Sequence, residues 1–152
     1  MRKYALDTNC YIDASHDAVV EASMQEFIDR VAPAFHVSSV VAAELLGGAR
    51  SAQERKVLED RVLGPFVRRD RIFSPGPVAW DALGRTLAHL RESDGLQPSQ
   101  VRRSFAFDIL IAHSCRERGI VLVTGNVRDM ERIRKVFAFD YVAPYPPVAS
   151  VA

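Results

Sequence analysis

Ile120-Val121-Leu122-Val123-Thr124-Gly125-Asn126 is the stretch that decides the fold. Four apolar residues run without a polar break, and three of them are β-branched. A strand with one wet face alternates apolar and polar residues, whereas a parallel strand covered by helices on both faces does not. The run therefore reads as a buried parallel strand, with Asn126 lying just past its carboxyl end. Gly119 in front of it suits the C′ position of a preceding helix.

Outward from this strand, Gln100 to Arg118 reads as a helix, with Phe107, Leu110, Ile111 and Ser114 toward the core. On the other side a helix from about Val127 to Val136 leads to a weak strand near Tyr141-Val142. At the start of the chain, Lys3 to Leu6 is a short buried strand ending at Asp7. Asp17 to Val31 carries one apolar stripe (Val20, Met24, Phe27, Ile28, Val31) at helical spacing, and Pro33 ends it. Phe35 to Val37 is a second strand. Ser38 or Ser39 then caps a helix through Leu46, closed by Gly47-Gly48. Ser51 caps a helix to about Leu63, stopped by Gly64-Pro65. Arg71 to Phe73 forms a short strand, and Pro77 opens a helix reaching about Arg91. Asp94 to Pro98 is a loop. Strands alternating with helices give an α/β fold with a mainly parallel central sheet between helix layers. The expected division is one domain over 1–143 and a Pro-rich tail over 144–152, hanging loose or packed on a partner.

The chain has 152 residues, 48% of them hydrophobic and 26% charged, the balance of one soluble globular domain. No apolar stretch approaches the roughly 20 residues that span a bilayer, and the start of the chain lacks a secretory apolar region. A cytoplasmic protein without membrane contact is expected. The net charge of +1 makes no global case for nucleic acid. Of the 20 basic residues, however, only Lys3, Lys56 and Lys135 are lysine. Arginine's planar fork suits phosphate, although a GC-rich genome yields the same bias. Cys10 and Cys115 have no metal or disulfide spacing and read as small core side chains. The four histidines are scattered. His113 shares a helix with Asp108 but points to another face, and reads as satisfied or exposed.

Four polar side chains interrupt or end otherwise apolar segments. They are Asp7 after Tyr4-Ala5-Leu6, Glu44 within Val40-Val41-Ala42-Ala43-Glu44-Leu45-Leu46, Asp108 within Phe107-Asp108-Ile109-Leu110-Ile111, and Asn126. Burying a carboxylate is costly unless something compensates it. Taken singly, each has a commonplace explanation: Asp7 as a helix cap, Glu44 as an exposed helical residue, Asp108 as the partner of an arginine. Taken together, they favour a shared site outside the carboxyl ends of the strands, where open α/β sheets bind ligands. Two like charges about 4 Å apart repel by roughly 4 kcal/mol at an effective dielectric of 20, so three would cost on the order of 10 kcal/mol. Either protons or a divalent cation must offset that. An all-oxygen set without His or Cys selects Mg²⁺ or Mn²⁺ over Zn²⁺, the equipment of metal-assisted phosphodiester hydrolysis.

At these residues the chain resembles the PIN-domain family, and within it the VapC-type toxins of bacterial toxin–antitoxin pairs. Leu6-Asp7-Thr8-Asn9 with Ile12 is similar to the family's first acidic motif. Ser38 to Leu45 with Gly47-Gly48 is similar to the second, Asp108 to Ala112 to the third, and Val123 to Met130 to the fourth. The resemblance spans nearly the whole chain. It implies that Asp7, Glu44 and Asp108 are metal-binding acids, that Asn126 fills the fourth metal position, and that Asp129 adds an acid beside it. Thr124 would orient a ligand or water. Two departures stand out. Asn126 is neutral where many members have Asp, and Met130 replaces the usual aromatic. The resemblance further implies a Mg²⁺- or Mn²⁺-dependent endoribonuclease acting on structured RNA, a homodimer, and neutralisation by an antitoxin whose arginine enters the acidic groove. Arg102, Arg103 and Arg128 are the expected contacts to the RNA backbone.

Two rivals stand beside this reading. A haloacid-dehalogenase-like phosphatase also begins strand-Asp, but needs an acid where Asn9 stands. A non-catalytic PIN-like module that only binds RNA or antitoxin has no use for three mutually repelling acids.

Overall fold

The computed structural model describes residues 1–147. Five strands and eight α-helices follow one another in chain order. Strand β1 (Lys3–Leu6) leads to α1 (Thr8–His16) and α2 (Ala18–Val31). Strand β2 (Phe35–Ser38) leads to α3 (Ser39–Gly48), α4 (Ala52–Val57) and α5 (Gly64–Arg68). Strand β3 (Ile72–Phe73) precedes α6 (Pro77–Asp94) and α7 (Arg103–Arg118). Strand β4 (Ile120–Val123), α8 (Val127–Arg134) and β5 (Tyr141–Val142) complete the fold. The sheet order is β3-β2-β1-β4-β5 and every neighbouring pair is parallel. The expected α/β architecture is therefore the observed one.

The order fixes where a site forms. The chain builds β1, β2 and β3 in one direction, then returns to add β4 and β5 on the other side of β1. The strands β1 and β4 are thus paired neighbours whose onward connections leave in opposite directions, which opens a crevice at their carboxyl ends. Their register pairs Leu6 with Val123, so Asp7 and Thr124 emerge side by side. The Asp7 N–H donates to the Val123 carbonyl at 2.9 Å and extends the ladder by one bond.

All four residues of β4 are buried, as an unbroken apolar run requires. Helix α7 packs against β4 and is buried from Asp108 through Cys115, essentially all round. Leu6, Val37, Leu122 and Val123 of the sheet meet Ile109, Leu110 and Ile111 of α7 in the core. Cys10 and Cys115 are buried and unpaired, as anticipated. Asp17, Ser38 and Ser51 cap α2, α3 and α4 by accepting from backbone N–H groups.

Three local expectations change, and a segment that carried no assignment gains one. The segment after Asp7 is a helix, α1, which lacks a clear apolar stripe because it buries only Cys10, Tyr11 and Ala14. Gly64-Pro65 does not stop the helix begun at Ser51. A π-helical turn at Leu58–Leu63 intervenes, and Gly64 and Pro65 open α5, where a proline's missing N–H costs nothing. Helix α7 starts at Arg103 rather than Gln100, because Pro98–Gln100 form their own 3₁₀ turn. The Pro-rich segment begins on the domain's own surface: Tyr145 packs on Phe27 with ring centroids 5.6 Å apart. Residues 148–152 of that tail lie outside the described residues. Among the described residues no helix is long and apolar enough to cross a membrane.

Candidate active site

Asp7 ends β1 and caps α1. Its Oδ1 accepts from the Thr8 N–H at 2.8 Å, and its Oδ2 accepts from Asn9 Nδ2 at 3.0 Å and from the Thr124 hydroxyl at 2.7 Å. Burial pushes its carboxyl above the usual range, and those three donors pull it back. An ionised carboxylate offers about four acceptor positions. Three are filled, and one remains for a ligand.

Thr124 is the hub. Besides donating to Asp7, its hydroxyl accepts from Asn9 Nδ2 at 3.1 Å and from the Asn126 N–H at 3.0 Å. One donor and two acceptor positions exhaust a hydroxyl. The expectation that Thr124 orients a ligand or water therefore gives way to a different role: it locks β1 to β4 and holds Asp7. Asn9 closes the same knot by accepting from the Gly125 N–H at 3.0 Å.

Asn126 spends its side-chain NH₂ on two acids. Its Nδ2 lies 3.1 Å from Asp108 Oδ2 and 3.1 Å from Asp129 Oδ2. A neutral donor thus stands between two carboxylates and keeps its carbonyl oxygen as an acceptor. Asp108, buried on α7, is pushed up to about 8 by burial and by repulsion from Asp7, Asp129 and Glu44, against the Asn126 bond. Burial and the neighbouring acids thus favour its protonated form. Glu44, half-buried on α3, accepts from the Thr8 hydroxyl at 2.8 Å. Burial raises its pKa, the Thr8 bond lowers it, and Asp7 raises it.

One hydrogen-bonded network thus joins Asp7, Glu44, Asp108, Asn126 and Asp129. Among the described residues, however, no three His, Cys, Asp or Glu side chains form a ready-made ligating cluster. Thr8, Thr124 and Asn126 stand between the acids and supply neutral hydrogen-bond donors to them. The donors converging here are hard oxygens, which fit a hard divalent cation. Cys10 Sγ, one residue from Asn9, is hydrogen-bonded to the Val123 carbonyl, and burial pushes its thiol up to about 12.

The arginines divide. Arg102 occupies the position before α7 without a side-chain cap and reaches to 3.8 Å from Asp129. Arg103 lines a cleft of about 680 Å³ with Glu44, Gly47, Gly48 and Phe107. Arg128 is exposed on the first turn of α8. His113 lies elsewhere, buried against Phe137 and 3.6 Å from Glu117. Thr8 and Asn9 were not expected as site residues. Their signal is their place in the first turn after a capping Asp, where short polar side chains bond back to the cap.

A parallel α/β domain thus gathers acids and amides at its topological switch point, where such folds bind ligands. The chain belongs to the PIN-domain family, whose model matches residues 4–136. It is 32% identical over 135 residues to the tRNA(fMet)-specific endonuclease VapC of Shigella flexneri, covering 88% of this chain and 93% of that one. It is 31% identical over 138 residues to Ribonuclease VapC2 of Haemophilus influenzae, with the same shares of each chain. Among solved structures it matches DNA-bound VapBC from Salmonella typhimurium at a TM-score of 0.67 and 26% identity, over 94% of this chain and 98% of that chain.

Proposed function

We propose that this chain is a Mg²⁺- or Mn²⁺-dependent endoribonuclease that acts as the toxin of a toxin–antitoxin pair. The observation that carries the reading is the continuous network from Asp7 through Thr124 and Asn126 to Asp108, set where β1 and β4 end. The relatives named as ribonucleases support it. In this reading Asp7, Glu44, Asp108 and the Asn126 carbonyl would hold the cation, and Asp129 would add charge beside it. A bound Mg²⁺ or Mn²⁺ would supply Lewis acidity at a phosphate and lower the pKa of a bound water.

The chain's own residues do the rest. Asp7 is held by three donors, so one free oxygen position points at a fixed place. Asn126 keeps Asp108 and Asp129 apart without adding charge. Arg102, Arg103 and Arg128 seat the substrate through its phosphates. Water adds at phosphorus, one phosphodiester P–O bond breaks, and the departing oxygen takes a proton. The acidic groove also suits a cationic side chain, so an arginine of a partner antitoxin would satisfy the same carboxylates. Exposed Val78 and Trp80 on α6 leave apolar surface for a second copy of the chain.

The test is expression of the wild type beside Asp7→Asn. The wild type is expected to slow growth, to cleave stem-loop RNA with Mg²⁺ or Mn²⁺ and not with EDTA, and to run as a dimer in light scattering. Asp7→Asn is expected to remain folded and to lose cleavage. Two preparations that behave alike, with or without metal, defeat the reading. A wild type that binds RNA without cutting it under any metal favours the non-catalytic module.

A further inference from the structure

Arg132 is one turn beyond Arg128 on α8, so the two side chains are neighbours on one helix row. The Arg132 guanidinium lies over the Phe105 ring of α7, 4.9 Å from the centroid. Across the same helix pair, Arg102 stands 3.8 Å from Asp129. Residue 105 is three past 102, and residue 132 is three past 129. The two contacts are therefore successive rungs between α7 and α8, and the first ends on an acid of the candidate site.

Among the described residues neither Arg128 nor Arg132 has a carboxylate within 4.0 Å, unlike Arg134 on the other side of α8, which pairs with Glu131. Phe105 is buried, so the ring that holds Arg132 is itself fixed. A guanidinium laid on a ring satisfies its face and leaves the N–H donors of its edge unspent. Held in this way, it loses little rotamer freedom when it meets a phosphate.

We infer that Arg132, stacked on Phe105, is a phosphate-binding residue of the RNA substrate, and that with Arg128 and Arg102 it forms a rail leading the strand away from the acids along α8. Arg103 lies on the other flank, beside Glu44, so the substrate crosses the acids from the Arg103 cleft to the α8 rail. This inference rests on the ribonuclease reading. It adds a residue and a direction to that reading.

The experiment compares wild type, Arg132→Ala and Arg132→Lys on a fluorescein-labelled stem-loop RNA. It measures binding across a salt series without divalent metal, cleavage kinetics with Mn²⁺, and thermal melting. Arg132→Ala is expected to weaken binding about tenfold, to lower the slope of log affinity against log salt by about one unit, and to raise KM while leaving kcat unchanged. Arg132→Lys is expected to recover the salt slope and only part of the affinity, because an ammonium lacks the fork. If the wild type binds and cleaves but Arg132→Ala matches it in KM and salt slope, the rail is wrong and the nuclease reading survives. A change confined to melting temperature makes Arg132 a mere cover for Phe105 and overturns the inference. A wild type with no affinity for RNA sinks both.

Discussion

At the scale of single residues, the candidate site rests on groups whose hydrogen bonds are spent inside the protein. Thr124 spends its hydroxyl on Asp7, Asn9 and the Asn126 backbone. Thr124→Val keeps shape and volume but removes all three bonds. It is expected to lower kcat about 10- to 100-fold, the range for groups that orient metal ligands, and single-turnover cleavage of stem-loop RNA measures it. Asp108 gives a second prediction. Its folded pKa is about 8 against an ordinary 3.8, so between those values the folded chain binds more protons than the unfolded one. Stability supplied by that proton is full below the unfolded value and is lost as pH rises toward 8. The metal-free protein is therefore expected to melt at lower temperature at pH 8.5 than at pH 6. Asp108→Asn, which cannot ionise, is expected to narrow the gap by about 3 °C or more, read by thermal melts in EDTA. The acids themselves were legible in sequence, because a carboxylate in an apolar run is conspicuous. The roles of Thr8 and Asn9 were not, because a short polar residue after a capping Asp looks alike whether it bonds its own turn or another strand.

At the scale of elements, the decisive device is the one-residue joint between α7 and β4. Helix α7 carries Asp108, and β4 delivers Thr124 and Asn126. Gly119 turns one into the other at φ 64°, ψ 36°, a left-handed conformation that a Cβ makes costly. Gly84, in the middle of α6, has no such duty, and a Cβ there would meet nothing within 4 Å. Opposite signs are expected: Gly119→Ala destabilises by about 1 kcal/mol or more, and Gly84→Ala stabilises by about 1 kcal/mol. Urea unfolding of the two variants decides it. The β4 run and Gly119 were readable because periodicity and punctuation agreed there. The break at Leu58–Leu63 was not, since a π-helical turn keeps helical spacing nearly intact and Gly64-Pro65 serves equally to end a helix or to begin one.

At the scale of the whole molecule, function follows from the order in which strands are laid down. Placing β4 against β1 brings residues 7 and 124, over a hundred positions apart in sequence, within 2.7 Å. The helices after β2 and β4 then swing Glu44, Asn126 and Asp129 to the same edge. The sequence by itself determined the α/β class, the buried parallel strand β4 and the places of Asp7, Glu44, Asp108 and Asn126, because each is a local departure from an apolar pattern and burial penalises polar groups wherever they occur; Asp129 interrupts no apolar run and was expected only from the family resemblance. Only the tertiary structure decided how those groups are joined. Hydrogen bonds through Thr8, Thr124 and Asn126 link them, and partners that form only across a sheet leave no mark in local spacing.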